Sequence, residues 1–400
     1  LWEYGRSMQE GRAAGVGPFW TLIAIRAAFW ALAALSLLWV PLRHGFPPFQ
    51  AFDARSDLVF GTFEQWDSGW YLRIVHHGYD VKASTAFFPV YPLAVRLLGS
   101  SVVIATLLSL VAAGVGAVAL ARIAEPVIGP LGARDTVLYL ALYPVSFVFT
   151  SAYSEGFFLA FAAGAFLAAT RNRPWLAGIL GGFAVGTRLA GLALLPPLLY
   201  LLWPRGRTAR ELARPAPLLL LPAALGAYML YLRHRFGSAL AFQDALDKVW
   251  NRHTSAAGPF GGLWDGLRSG WQGVSELVRH LPRGQGAPGG YAQRDVFATW
   301  NVVHLAVLAL ALWLTWVAWR RLGPALGLYA ISIQVVLLSA PVDVVPLASY
   351  PRYLLYDFPL FIALAAILRD RPRAREATLV GFAALGAVAA VAFSHHVWIA

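Results

Sequence analysis

Apolar positions in this chain come in long unbroken blocks, not in alternation. Blocks of helix length lie near residues 19–41, 101–123, 135–152, 154–170, 174–188, 189–203, 215–232, 297–319, 323–340, 351–368 and 377–398. A helix needs about 20 apolar residues to cross a hydrocarbon core. No period-two pattern recurs that would suit barrel strands, so the blocks read as about eleven membrane helices, several of them short for a full span. Polar residues punctuate the blocks unevenly. "RNRP" (171–174), "PRGRTARELARP" (204–215), "RR" (320–321) and "RDRPRARE" (369–376) are short Arg-rich connections. Alternation puts all four on one side, which the positive-inside rule makes cytoplasmic. Two long loops, 42–100 and 233–296, then face outside, and no separate soluble domain fits in either, so residues 1–400 form a single membrane domain. Within the second loop, Leu263, Leu267, Trp271, Val274, Val278 and Leu281 recur at helical spacing, with Asp265, Arg268, Gln272 and Glu276 opposite. That pattern predicts a helix lying on the membrane surface, followed by a flexible connector, "RGQGAPGG" (283–290).

Composition supports the membrane reading. Hydrophobic residues make up 58% and charged residues 13%, against roughly 25% charged in soluble domains. The net charge of +12 sits in the Arg-rich connections, where it acts as a topology signal and argues against nucleic acid as a partner. The absence of cysteine removes disulfides, thiolate metal sites and cysteine nucleophiles. The first apolar run is too long for a cleavable signal peptide and lacks a small-residue cleavage site; with Leu1 at the start, Met8 is a candidate initiator.

One stretch of the first outer loop concentrates polar chemistry: "FEQWDSGWYLRIVHHGYD" (63–80). Trp66, Trp70 and Ile74 at i, i+4, i+8 predict a short interfacial helix that begins near Asp67 and stops at Gly78. Asp67 either caps that helix or acts as a catalytic carboxylate. His76 and His77, being adjacent, point in different directions and make a poor chelating pair. A second set of charges lies at the outer ends of the spans: Glu155, Arg188 and Arg352. A charge in a span costs about 2.5–3.5 kcal/mol at mid-membrane and less near the interface, so each needs a partner. Glu155 and Arg188 either pair to hold helices together, or Arg188 and Arg352 receive an anion from the membrane, a task suited to a planar guanidinium. Arg26, near the cytoplasmic end of the first span, is expected to snorkel.

The opening motif, followed by "STAFFPVYPLAVRLLG" (84–99), "SAYSEGFF" (151–158), "GTRLAG" (186–191), "RFGSALAFQDA" (235–245) and "SYPRYLLYDFPLF" (349–361), resembles the PIG-V mannosyltransferases. The resemblance implies an all-α polytopic GT-C glycosyltransferase fold with an active site on the outer face of the cell membrane. It also implies a polyprenyl-phosphate-mannose donor and a glycan or glycolipid acceptor. An inverting transfer needs a base for the acceptor hydroxyl and cations for the departing phosphate, and needs no acid because phosphate leaves as an anion. Asp67, at the family's Trp-Asp position, is the expected base, with Arg188 and Arg352 on the donor phosphate. Glu64, Trp66, His76, His77, Glu155, Gln243, Trp250 and Tyr353 are further candidates for sugar or acceptor contacts. Asp53 and Asp57 are too widely spaced for the DxD motif of nucleotide-sugar enzymes, so neither a metal nor another cofactor is expected. Two other readings fit a polytopic protein: a transporter or flippase of lipid-linked sugars, and a non-catalytic glycolipid-binding scaffold.

Overall fold

The computed structural model describes residues 17–39, 64–204, 206, 208–280, 293–397 and 399. Residues 42–63, the connector 283–290, Leu281 and Met8 lie outside the described residues. The described chain is helical, with one isolated β-bridge, Arg252 to Val342. In order come α1 (Gly17–Ser36), α2 (Asp67–His77), α3 (Val90–Leu98), α4 (Val102–Leu142), α5 (Glu155–Thr170), α6 (Pro174–Thr187) and α7 (Leu195–Leu202). They are followed by α8 (Leu220–Phe236), α9 (Ala241–Trp250), α10 (Pro259–His280), α11 (Gln293–Val317), α12 (Pro324–Leu338), α13 (Phe358–Leu368) and α14 (Pro372–Ser394).

Every apolar block falls on helix, and the interfacial helix starts at Asp67 and stops at a left-handed Gly78 (φ 68°) as its spacing requires. Length divides the blocks. Among the described residues, five helical segments, Gly17–Ser36, Val102–Leu142, Ala216–Phe236, Val296–Leu322 and Pro372–Ser394, are long and apolar enough to cross a membrane; a sixth arises if Tyr350–Tyr356 and Phe358–Leu368, bent by 85°, count as one span. Glu155–Thr170, Pro174–Thr187, Leu189–Leu202 and Pro324–Leu338 are shorter apolar helices. By length, therefore, the eleven blocks give five or six full spans with shorter helices packed among them.

The longest element is a folded-back pair. Gly129 has φ 77° and ψ 172°, between Pro126 and Pro130. A Cβ on Gly114 would meet the Phe19 ring, while Arg26 donates to the Ala141 carbonyl at 3.0 Å. Phe19 and Arg26 are about 10 Å apart along α1, whereas Gly114 and Ala141 would be about 40 Å apart on a straight helix. The chain must double back at Gly129, where a left-handed residue costs glycine nothing. Leu107, Val111 and Val115, at i, i+4, i+8, stay about half exposed on α4 and form a lipid-facing stripe. Arg26 does not snorkel. It is fully buried, its guanidinium lies 4.7 Å from the Phe29 ring, and α4's return leg supplies the carbonyl that replaces water.

Close backbone approaches fix the helix ends that carry the charges. A Cβ on Gly156 would fall 2.1 Å from the Ser109 carbonyl oxygen, and one on Gly178 would fall 2.2 Å from that of Pro217. These glycines let α5 lie against α4 and α6 against the start of α8. Because "RNRP" joins the end of α5 to the start of α6, Glu155 and Arg188 share the opposite end of the bundle.

The amphipathic helix expected between residues 263 and 281 is present as α10. Trp264, Leu267, Trp271 and Val278 are exposed. Its packed face is made of glycines: Gly262 abuts the Leu338 carbonyl, Gly266 abuts Leu347, Gly270 abuts Leu305 and Gly273 abuts the Ala298 carbonyl.

Candidate active site

At the start of α2, Trp66 holds a left-handed backbone (φ 58°) and makes no side-chain cap, a strained conformation for an aromatic residue. The backbone N–H of Asp67 donates instead to the Tyr153 hydroxyl at 3.3 Å, and that hydroxyl donates to the Gln65 carbonyl at 3.1 Å. A tyrosine thus takes over work that a capping carboxylate does elsewhere. The Asp67 carboxylate is left to meet Arg352, whose Nη2 lies 2.9 Å from Oδ2.

Glu155, the first residue of α5, is fully buried. Its Oε1 accepts from Arg188 Nη2 at 2.8 Å and from the Tyr356 hydroxyl at 3.3 Å, and Arg352 Nε stands 3.4 Å away. Arg188 follows α6 on extended backbone, and its Nε donates to Ser154 Oγ at 2.8 Å. Ser154 also shares a 2.6 Å hydrogen bond with the Tyr71 hydroxyl. Arg352 rides on a single helical turn, Tyr350–Tyr353, launched by Ser349 in a left-handed conformation (φ 64°).

A third guanidinium completes the set. Arg252 donates to the Ala340 and Ala348 carbonyls, each at 2.8 Å. The Tyr353 ring lies 5.8, 5.5 and 5.1 Å from the guanidinium carbons of Arg188, Arg252 and Arg352, within reach of cation–π attraction. Beside them a cavity of about 490 Å³ has Asp67, Arg188, Arg252 and Arg352 in its walls. An aromatic corner made by Trp70, Phe87 and Trp250, with ring centroids 5.5–5.9 Å apart, lines it too. Three arginines against Asp67 and the Glu155 beneath them leave a formal charge of +1. Among the described residues, no three His, Cys, Asp or Glu side chains converge to hold a metal ion.

Of the residues singled out from the sequence, Asp67, Trp66, Arg188, Trp250, Arg352 and Tyr353 line this cavity, and Glu155 lies directly behind it. Glu64 is partly buried just before α2 but is not in the cavity wall. His76, His77 and Gln243, expected to contact sugar or acceptor, do not line this cavity. The two histidines are exposed at the far end of α2, about 14 Å of helix from Asp67. Gln243 is exposed and spends its amide on Thr254 Oγ1 at 3.0 Å. Sequence reasoning missed Arg252, Tyr153, Ser154, Tyr356 and Phe87. Tyr153, Ser154, Tyr356 and Phe87 stand inside motifs already quoted, and Arg252, two residues after Trp250, had the signal of a cation near an aromatic in a long connection.

Residues 31–203 match the family model described as mannosyltransferase (PIG-V). Curated relatives include the GPI alpha-1,6-mannosyltransferase 2 of Mus musculus, 30% identical over 158 residues that cover 36% of this chain and 32% of the relative. The Homo sapiens protein is 31% identical over 150 residues, 34% of this chain and 30% of that protein. The chain thus matches about a third of the length of these relatives. Two solved structures are similar along most of the chain. ArnT from Cupriavidus metallidurans, bound to undecaprenyl phosphate, is 18% identical with TM-score 0.47, covering 92% of this chain and 63% of that one. The Archaeoglobus fulgidus oligosaccharyltransferase, in complex with zinc and sulfate, is 13% identical with TM-score 0.43, covering 94% of this chain and 52% of that one. The family that the motifs resemble is therefore the one matched over residues 31–203, the stretch that carries Asp67, Glu155 and Arg188: the PIG-V mannosyltransferases.

Proposed function

We propose that this protein is a membrane mannosyltransferase of the GT-C type, taking mannose from a polyprenyl-phosphate-mannose donor and placing it on an acceptor hydroxyl at the outer membrane face, with inversion. The observation that carries the reading is the charge of the cavity: three guanidiniums against two carboxylates leave room for one further anion, the charge of a phosphodiester. In the resting site the Asp67 carboxylate is engaged by Arg352. A lipid phosphate entering the cavity competes for that guanidinium, and Asp67 is released as the donor binds. The acceptor oxygen then attacks the anomeric carbon, its proton passes to Asp67, and the bond from the anomeric carbon to the phosphate oxygen breaks. The phosphate departs as an anion, held by Arg188 and Arg352 more strongly as its charge develops. Arg252, its fork already on two carbonyls, contributes field and holds the Tyr353 ring. The family match supports mannose as the sugar; the acceptor in the relatives' name is not carried over. The Arg-rich connections at the opposite end of the bundle support an outward-facing site, and charges gathered at one end do not suit a transporter with midplane binding.

The test is transfer by purified protein, in the presence of chelator, from polyprenyl-phosphate mannose and from GDP-mannose to candidate glycans, read by mass spectrometry. The proposal requires product from the lipid donor and none from the nucleotide donor; efficient use of GDP-mannose overturns it.

A further inference from the structure

Helix α10 has a third face beyond its exposed apolar stripe and its packed glycines. Asp265, Arg268, Ser269, Gln272 and Glu276 project from it toward α11 and the 341–346 segment. Two further cavities lie there, of about 420 and 350 Å³, sharing Ser269, Gln272, Asn301 and Val344 in their walls. Both sizes suit small-molecule sites. The larger one reaches the Arg252–Val342 pairing, and Val342 lines both it and the active-site cavity. A polar trough therefore runs along α10 and ends at Val342, which also lines the active-site cavity.

We propose that this trough is an acceptor subsite for a neutral oligosaccharide; the proposal rests on reading the adjoining cavity as the site of mannosyl transfer. Its walls offer alternating donors and acceptors. Asp265, Arg268, Gln272 and Asn301 have no side-chain hydrogen bond or ion pair to any other group among the described residues, so their polar atoms are free for sugar hydroxyls. This is unlike His253 at the inner end of the trough, which is tied to Asp247 and Asp343. Charge selects the class of acceptor. Asp265, Glu276 and Asp343 against Arg268 make the walls −2, or −1 with His253 protonated, which disfavours an anionic glycan. Position sets the orientation: the exposed Trp264 and Trp271 keep α10 at the membrane surface. The glycan's non-reacting units lie along Gln272 and Asn301, and its reacting end lies at the Val342 edge.

The experiment measures binding without transfer. Full-length protein in nanodiscs is mixed with α-linked mannotriose, no donor present, and saturation-transfer NMR is recorded for wild type, Asp67→Asn and the double variant Gln272→Ala/Asn301→Ala. Wild type and Asp67→Asn bind mannotriose, and the double variant binds at least about fivefold more weakly with unchanged thermal stability, as loss of two hydrogen bonds requires. Trigalacturonate, an acidic trisaccharide, binds more weakly than mannotriose. No binding of mannotriose to wild type, equal binding by the double variant, or equal binding of trigalacturonate overturns the proposal. Failure of the transfer reading shows separately: mannotriose would bind the trough, with no mannose transferred in the lipid-donor assay. If transfer is real and the trough is wrong, transfer to mannotriose proceeds with the same KM in the double variant.

Discussion

Two charge groupings in this protein use the same residue types in opposite ways. Toward the Arg-rich end, Arg375 at the start of α14 grips Asp135 on the return leg of α4. Nε and Nη2 meet Oδ2 and Oδ1, each at 2.6 Å. One fork meets one carboxylate, both oxygens are used, and no cation is left over. At the other end, Glu155 Oε1 is divided among Arg188, Arg352 and Tyr356, while Glu155 Oε2 and Arg352 Nε find no hydrogen-bond partner. Asp67 takes only one arm of Arg352. The first grouping is a closed pair that holds two helices together. The second is left short of an anion and faces a cavity, which is what a site needs if its missing member is a substrate.

The comparison predicts different consequences for removing a charge at each end. The largest effect is expected for Asp67→Asn, which keeps the shape and cannot take the acceptor proton: turnover falls by about a hundredfold or more, read as product formed per folded protein. Normal turnover in that variant removes Asp67 as base. Next come the arginines. Arg188→Ala and Arg352→Ala weaken donor binding and turnover together, by about tenfold or more, and Arg188→Lys restores only part because a point charge does not reproduce the fork. If Arg188 only braces Glu155, the Glu155→Gln/Arg188→Gln double variant regains both stability and activity; on the present account it regains stability alone. At the closed pair, Asp135→Asn lowers stability by about 1–2 kcal/mol, seen as a melting temperature lower by a few degrees, with activity per folded molecule unchanged.

The smallest effect concerns the wall between trough and active site. His253 is raised above its usual pKa by hydrogen bonds to Asp247 and then Asp343. A raised folded-state pKa means that the clasp is fully made below the ordinary histidine pKa and weakens as pH rises through the raised value. Amide exchange in residues 251–255 is therefore expected to increase, beyond its intrinsic pH dependence, as pH is raised, and to lose that extra rise in His253→Gln.

How far the sequence went follows from the range of its signals. Apolar runs and Arg clusters are local and additive along the chain, so the helices, the shared end of the Arg-rich connections and the amphipathic helix α10 were legible. The starts and stops that depend on one residue were legible too, as at Asp67 and Gly78. Pairings across the fold were only partly so. Glu155 and Arg188 could be matched because each needed a partner, but nothing local tied Arg352 to Asp67, 285 positions apart. The fold-back at Gly129 and the burial of Arg26 depend on which helices become neighbours. His76 and His77 share a motif with Asp67 yet stand at the other end of its helix, because nearness in sequence along a helix is distance in space. Arg252 was passed over because its role comes from carbonyls on a segment about 90 residues away.

The central claim, that a lipid phosphate supplies the anion this site lacks and releases Asp67 from Arg352, is tested most directly by equilibrium binding of polyprenyl phosphate to wild type, Asp67→Asn and Arg352→Ala. The account predicts that Asp67→Asn binds as tightly as wild type or more tightly, because a competing carboxylate has been removed, while Arg352→Ala binds at least about tenfold more weakly. Weaker binding by Asp67→Asn together with undiminished binding by Arg352→Ala would contradict it.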